Sequence, residues 1–181
     1  VCSSDLNADM KLYESIQQLH LLLHDSFSEP EYKTIIESLR NSVLTAFYTP
    51  AIIPKTFYEI LEQQNIVVRN LYEPSAGSGI FITEAVRACK GLQNVTAVEK
   101  DILTGKVLAA LCKGLSLSAK VHICGLEQTP LHDNEKSDLV ISNIPFGNFP
   151  VYDPGFTDPS ISGKIHNYFF AKGIDKVSNC G

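Results

Sequence analysis

Two short stretches of the chain carry the most chemical content. They are Glu73-Pro74-Ser75-Ala76-Gly77-Ser78-Gly79 and Asn143-Ile144-Pro145-Phe146. The first follows the apolar residues Val67, Val68 and Leu71 and precedes Ile80 to Lys90, where Phe81, Ala85, Ala88 and Cys89 fall at helical spacing. A strand, a glycine turn and a helix N-terminus are predicted in that order. Gly77 and Gly79 lack a Cβ, so a ligand can approach the backbone closely and meet the unpaired N–H groups of the helix start. A dinucleotide fold would place a third glycine at Ile82, and the Gly-Lys-Ser/Thr of a phosphate loop is missing. Glu73 would repel a phosphate. It suits a cation, such as the amino or sulfonium group of S-adenosylmethionine (SAM).

The second stretch ends the apolar run Asp138 to Ile141, a predicted strand that delivers Asn143 to its carboxyl end, the edge where open α/β sheets place ligands. The Asn143 side-chain oxygen and the Ile144 carbonyl can both accept from one amino group, Pro145 stiffens the turn, and Phe146 offers a stacking face. This is a device for a planar amine whose lone pair is delocalised into a ring. Two neutral acceptors favour a tetrahedral nitrogen and stabilise its developing positive charge without any titrating base. Alignment with a methyl donor would supply the rest, so the pattern fits amino methylation.

The elements that must position these residues read as an alternation. Asn94 to Glu99 is a second strand, and Glu99 lies twenty residues past Gly79, close to where nucleotide folds set a carboxylate against ribose hydroxyls. Leu103, Val107, Ala110 and Leu111 form a helix face, Lys120 to Cys124 a third strand, with His122 and Cys124 as packing residues, and Glu127 sits in the following loop. Strands alternating with helices imply a mostly parallel sheet with helices on both faces. Glu127, at a carboxyl end of that sheet, is placed to accept from a purine amino group.

Ahead of this lie two amphipathic helices, Met10 to His24 on Leu12, Ile16, Leu19, Leu22 and Leu23, and Pro30 to Leu44 on Tyr32, Ile35, Ile36, Leu39 and Val43. His20 and His24 share a helix face, but no third ligand is suggested nearby and no metal is expected. Phe47-Tyr48-Thr49-Pro50 makes a stiff connector, and Pro54 to Gln64 a helix with Phe57, Ile60 and Leu61 inward. Gly147 to Ile165 is a long loop rich in Pro, Gly, Asp and aromatics, of the kind that forms functional lids or is disordered. The last helix, about His166 to Val177, carries Phe170, Ile174 and Val177 at helical spacing, with Tyr168 and Phe169 as core residues near its start.

With 181 residues, 44% apolar, the chain can bury one substantial core, and its net charge of −5 is not that of a domain that grips phosphates by itself. The five cysteines form no C-x-x-C pair and suit a reducing cytoplasm. No apolar run reaches the roughly 18 residues a membrane span needs. Residues 1–6 read as a non-native leader, 7–44 as an N-terminal helical segment, and 45–181 as a catalytic domain whose remaining strands are expected beyond Gly181.

In this order the motifs resemble those of the N6-adenine DNA methyltransferases of the amino-methylating class. The run Ile141 to Gly147, with Val151-Tyr152-Asp153-Pro154 and Lys164-Ile165-His166, is similar to the methyltransferase regions of large methylase-helicase proteins of mobile elements and phages. The resemblance covers most of the chain from about Leu44. It implies a Rossmann-like SAM-dependent methyltransferase fold, with SAM as cofactor. It assigns Phe47, Tyr48, Thr49 and Pro50 to the loop around the methionine part of SAM, and Glu73, Pro74, Ser75, Ala76, Gly77 and Gly79 to the cofactor turn. Glu99 becomes the ribose acid and Glu127 the residue near the cofactor adenine. Asn143, the Ile144 carbonyl, Pro145 and Phe146 become the catalytic turn. DNA would be the partner, held through a target-recognition region outside this chain, with helicase or other domains in the same parent protein. The family usually has Pro where this chain has Ile144, a change that keeps the working carbonyl and is expected to loosen the turn.

Two other readings fit parts of the pattern. A glutamine side chain in a protein is also a planar amide suited to the Asn143 turn, and a SAM-binding module without catalysis would keep the glycine turn alone. Cytosine C5 methylation is disfavoured, because its cysteine nucleophile typically follows proline and none does here.

Overall fold

The computed structural model describes residues 3–45, 49–130 and 135–178. The chain forms two compact units, residues 1–41 and 42–181.

In the first unit, helix α1 (Ser3–Ser26) turns into α2 (Glu29–Thr45). Glu31 closes the start of α2 by accepting from the Ser28 backbone N–H at 3.0 Å and from its hydroxyl at 2.7 Å. Leu23 and Ile35 are buried, whereas Ile16, Leu19 and Leu22 of the expected α1 face are exposed. His20 and His24 both set their rings edge-on to Tyr32, and His20 Nδ1 lies 2.7 Å from its hydroxyl. Their shared face is thus used for helix packing.

The second unit is built on four parallel strands, β1 (Asn70–Glu73), β2 (Asn94–Glu99), β3 (Ser118–Ile123) and β4 (Leu139–Val140), in the order β3-β2-β1-β4. The chain runs outward from β1 through β2 to β3, then returns to pair β4 on the other side of β1. That reversal is the switch point at which doubly wound sheets open a crevice beyond their strand ends.

Strand alternation divides the core into two layers. Leu71, Val95, Ala97 and Leu139 face one side, under α3 (Ile52–Gln63), α4 (Ile80–Ala88) and α5 (Ile102–Gly114). Tyr72, Val98 and Val140 face the other, under α7 (Ile165–Lys176), with a short α6 (Pro159–Ser162) before it. Helices on both faces of a parallel sheet are the predicted Rossmann-like architecture.

Three helices are rotated from their expected faces. In α3 the buried residues are Pro54 and Tyr58, and Phe57 and Ile60 are exposed, because the helix is apolar on more than one side and the phenol ring fits inward. In α5 the inward stripe is Gly105, Leu108 and Cys112, with Val107 outside. A Cβ on Gly105 would stand 2.8 Å from Ile123 Cγ2, so glycine lets α5 lie directly on β3. In α7, Phe170 and Ile174 are exposed, while Ile165, Tyr168, Phe169 and Lys172 are buried.

Candidate active site

β1 ends at Glu73 inside the protein, with the carboxylate 1% exposed, and the chain then turns out of the sheet. The turn is tied to β2 by the Ala76 N–H, which donates to the Val98 carbonyl at 2.9 Å. Gly77 (φ +55°) and Gly79 (φ +88°) both adopt left-handed backbone. Their surroundings differ. A Cβ on Gly77 would meet open space, while one on Gly79 would stand 2.7 Å from Leu108 Cδ1 and 2.9 Å from Leu111 Cδ2. Gly77 is therefore the glycine that keeps the space beside the turn clear, and Gly79 lets α4 and α5 approach each other.

Glu99, at the end of β2, is wired into this turn. Its Oε2 accepts from the Gly77 N–H at 2.8 Å and its Oε1 from the Asp101 N–H at 2.8 Å. Asp101 in turn caps α5 through the Thr104 N–H at 2.7 Å. Burial raises the Glu99 pKa, against the pull of the Asp101, Gly77 and Lys100 N–H groups.

Glu73 is the more extreme acid. Burial first, and then the Glu99 charge, push its carboxyl well above the usual range. Its Oε2 has no hydrogen-bond partner among the described residues. Buried polar atoms are almost always paired, so an orphan acceptor beneath an open turn is suited to a cationic donor. The methionine ammonium of SAM is such a donor, and the residues present fit that cofactor.

β4 brings the second stretch beside the first. The Ser142 hydroxyl donates to the Ser75 carbonyl at 3.3 Å, bridging the two loops across the switch point. Asn143 Nδ2 donates to Thr49 Oγ1 at 3.1 Å, which links the amine turn to the connector ahead of α3. Ile144 packs onto the core layer under α7, so the turn is held by apolar contact. Pro145 is half-buried and Phe146 is exposed, at 62%. Pro50 lies exposed at the start of α3, and Phe47 and Tyr48 lie outside the described residues. Glu127 sits past β3 with its carboxylate folded onto Gly125. It is a partner in neither the Asn143–Thr49 nor the Gly77–Glu99 hydrogen bond.

One cluster escaped the sequence reading. Lys172 on α7 is 0% exposed, and its Nζ donates to Asp153 Oδ2 at 3.0 Å and to the Thr129 carbonyl at 2.9 Å. Tyr168 donates to the same Asp153 oxygen at 2.6 Å, and the Gly155 N–H donates to Oδ1 at 2.8 Å. Burial pushes the Asp153 carboxyl up, but these donors outweigh it and hold the group below the usual carboxylate range. The loop after the amine turn is thereby fastened to α7 and to the segment after Glu127. The available signal was Val151-Tyr152-Asp153-Pro154, an acid between aromatic and proline within an otherwise mobile composition.

The three cysteines among the described residues offer no counterpart to these groups. Burial raises the thiols of Cys89, Cys112 and Cys124 above their ordinary value, which keeps them protonated near neutral pH.

No established family profile matches the chain. Over 143 residues it is 29% identical to the defense against restriction protein B of Escherichia phage P1, a match covering 76% of this chain and 6% of the phage protein. Its fold matches the methyltransferase subunit of a type I restriction-modification system from Streptococcus thermophilus with a TM-score of 0.62 at 20% identity, over 76% of this chain and 33% of that one. It also matches a proposed class I SAM-dependent methyltransferase from Listeria monocytogenes with a TM-score of 0.57 at 17% identity, over 85% of this chain and 52% of that one. The chain thus spans a small part of the phage protein and a third to a half of these structural neighbours. Its strand order, its two-layered core and these matches agree: the chain has the fold of the SAM-dependent methyltransferases.

Proposed function

We propose that the chain is the cofactor-binding and catalytic part of an enzyme that transfers a methyl group from SAM to the N6 amino group of adenine in DNA. The observation that carries this reading is Asn143, which follows β4, is anchored through Nδ2 to Thr49, and adjoins the Ser142 hydroxyl that bonds the glycine turn at Ser75. Bound SAM supplies an electrophilic sulfonium methyl. Glu73 pairs with the ammonium of its methionine part, Gly77 leaves room for it, and Glu99 accepts from its ribose hydroxyls. Asn143 Oδ1 and the Ile144 carbonyl accept the two amino hydrogens of adenine and favour the tetrahedral nitrogen. Phe146 stacks on the ring. Neither acceptor takes up the amino proton, which passes to solvent once the nitrogen carries the methyl group.

The net charge of −5 supports a reading in which phosphates are gripped elsewhere, by a target-recognition region or by helicase or other domains of a larger parent protein. The phage relative, named for defence against restriction, supports a restriction-modification or anti-restriction setting. The test is mass spectrometry of nucleosides from a methylation-deficient host expressing the gene that encodes this chain, beside an Asn143→Ala control. N6-methyladenine with the parent alone is the expected result. Its absence with SAM bound would overturn the DNA reading in favour of a glutamine side chain or a non-catalytic module.

A further inference from the structure

Beyond the amine turn, residues 144–156 follow a two-sided pattern. Ile144, Val151 and Phe156 pack inward onto the layer under α7. Phe146, Phe149 and Tyr152, spaced three apart, face outward, and Phe149 is 49% and Tyr152 86% exposed. Tyr152 stands between two fastened neighbours. The Val151 N–H donates to the Ser162 carbonyl at 2.8 Å, and Asp153 is held by Lys172 and Tyr168. Phe149 lies on the backbone of Gly147, where a Cβ would stand 2.7 Å from its Cδ1. The buried ion pair fastens the residue next to an exposed ring. It pre-orders a flat, apolar contact at little entropic cost on binding.

We infer that Tyr152, with Phe149, is a second nucleobase contact, a stacking shelf for the unpaired bases exposed when the target adenine leaves the duplex. The inference rests on the DNA reading of the Asn143 turn. A base that leaves its stack uncovers the faces of its neighbours, and an aromatic ring next to the exit can cover them. An acidic chain attracts no phosphates through its net field, whereas stacking needs no positive charge and accepts any base. The two rings follow Phe146 in sequence and ride on the loop that Asp153 and Lys172 fix. These two are positioning residues, and the rings are the contacts.

The test uses the 181-residue chain and fluorescence anisotropy with a labelled single strand, the same strand carrying abasic sites, and the matching duplex. The expected result is about tenfold tighter binding of the base-bearing strand than of the abasic one. Tyr152→Ala should lose that preference and Tyr152→Phe keep it, with thermal unfolding showing both variants folded. The inference is overturned by an unchanged preference in Tyr152→Ala, by equal binding of the abasic strand, by no strand binding at all, or by ring-dependent capture of a glutamine peptide in place of the strand. Ring-dependent strand binding without N6-methyladenine in the host would sink the proposed reaction and leave the shelf. N6-methyladenine formed by Tyr152→Ala with an unchanged KM for DNA would do the reverse.

Discussion

Asn143 and Thr49 stand 94 residues apart in the chain and meet in a hydrogen bond of 3.1 Å, from Nδ2 to Oγ1. On the proposed reading, the bond anchors the side chain whose oxygen meets the substrate amine. Thr49→Val keeps the shape of the side chain but removes the hydroxyl, so the amide loses that anchor. At saturating SAM, kcat should fall about tenfold, the worth of one neutral hydrogen bond, and Thr49→Ser should restore it. Asn143→Ala removes the acceptor itself and should cost on the order of 10²–10³ in kcat, with SAM affinity within a factor of about two. Single-turnover methyl transfer checks both, and parent-like rates in Thr49→Val would end the orienting role.

Glu73 should announce itself through pH. Its folded pKa is raised by burial and then by Glu99, so the folded chain holds a proton that the unfolded chain releases near the ordinary value of about 4.3. The stability this contributes is complete below that value and is lost as pH rises through the folded pKa. Glu73→Gln removes the charge, and should melt above the parent at neutral pH and together with it under acid conditions. SAM binding should reverse the ranking, because its ammonium favours the ionised carboxyl; the parent then releases a proton on binding, which calorimetry in two buffers detects. A neutral-pH melting point below the parent's would mean that the carboxyl has donors already.

The sheet and the ends of its strands were legible because their signals are local. Alternation located β1, β2 and β3, and the acids Glu73 and Glu99 follow their strands directly. The faces of α3, α5 and α7 were not legible, for one reason: what is buried there is not what an apolar pattern counts. Tyr58 carries a hydroxyl, Gly105 has no side chain, and Lys172 is a cation, yet each faces the core. A period read on Phe170 and Ile174 therefore rotates α7 away from Tyr168 and Lys172. The Asp153 pair was hidden further, since its partners lie 19 and 43 residues from one another along the chain, on a loop, a helix and a strand exit.

The two glycines of the turn should separate by readout. Gly77→Ala places a methyl in open space at φ +55°, at a cost of roughly 1–2 kcal/mol for the left-handed backbone. Its larger effect should be on cofactor affinity, since the methyl occupies the space kept beside the turn. Gly79→Ala adds a clash with Leu108 and Leu111 to the backbone cost at φ +88°, so it should lower stability by a further 1–3 kcal/mol or so. Chemical denaturation and SAM titration of the two variants should give opposite orders of severity. The same order in both would remove the distinction.

Lys172 supplies the sharpest stability test, because its removal strands a partner. In Lys172→Met the Asp153 carboxylate stays buried with Tyr168 and Gly155 as donors but no cation, and the loss should be about 3–5 kcal/mol. At about 2–4 °C per kcal/mol for a chain of this size, the melting point should drop by something near 10 °C. The pH response should change sign as well. In the parent, the lowered Asp153 pKa contributes stability that is present above the unfolded value and lost as pH falls through the folded one. Without the ammonium, burial dominates and raises that pKa, so the variant should gain on the parent as the solution is acidified. Adding Asp153→Asn to Lys172→Met should recover part of the loss, since the stranded charge is gone. Strictly additive losses in the double variant would mean that the two side chains do not act as a pair.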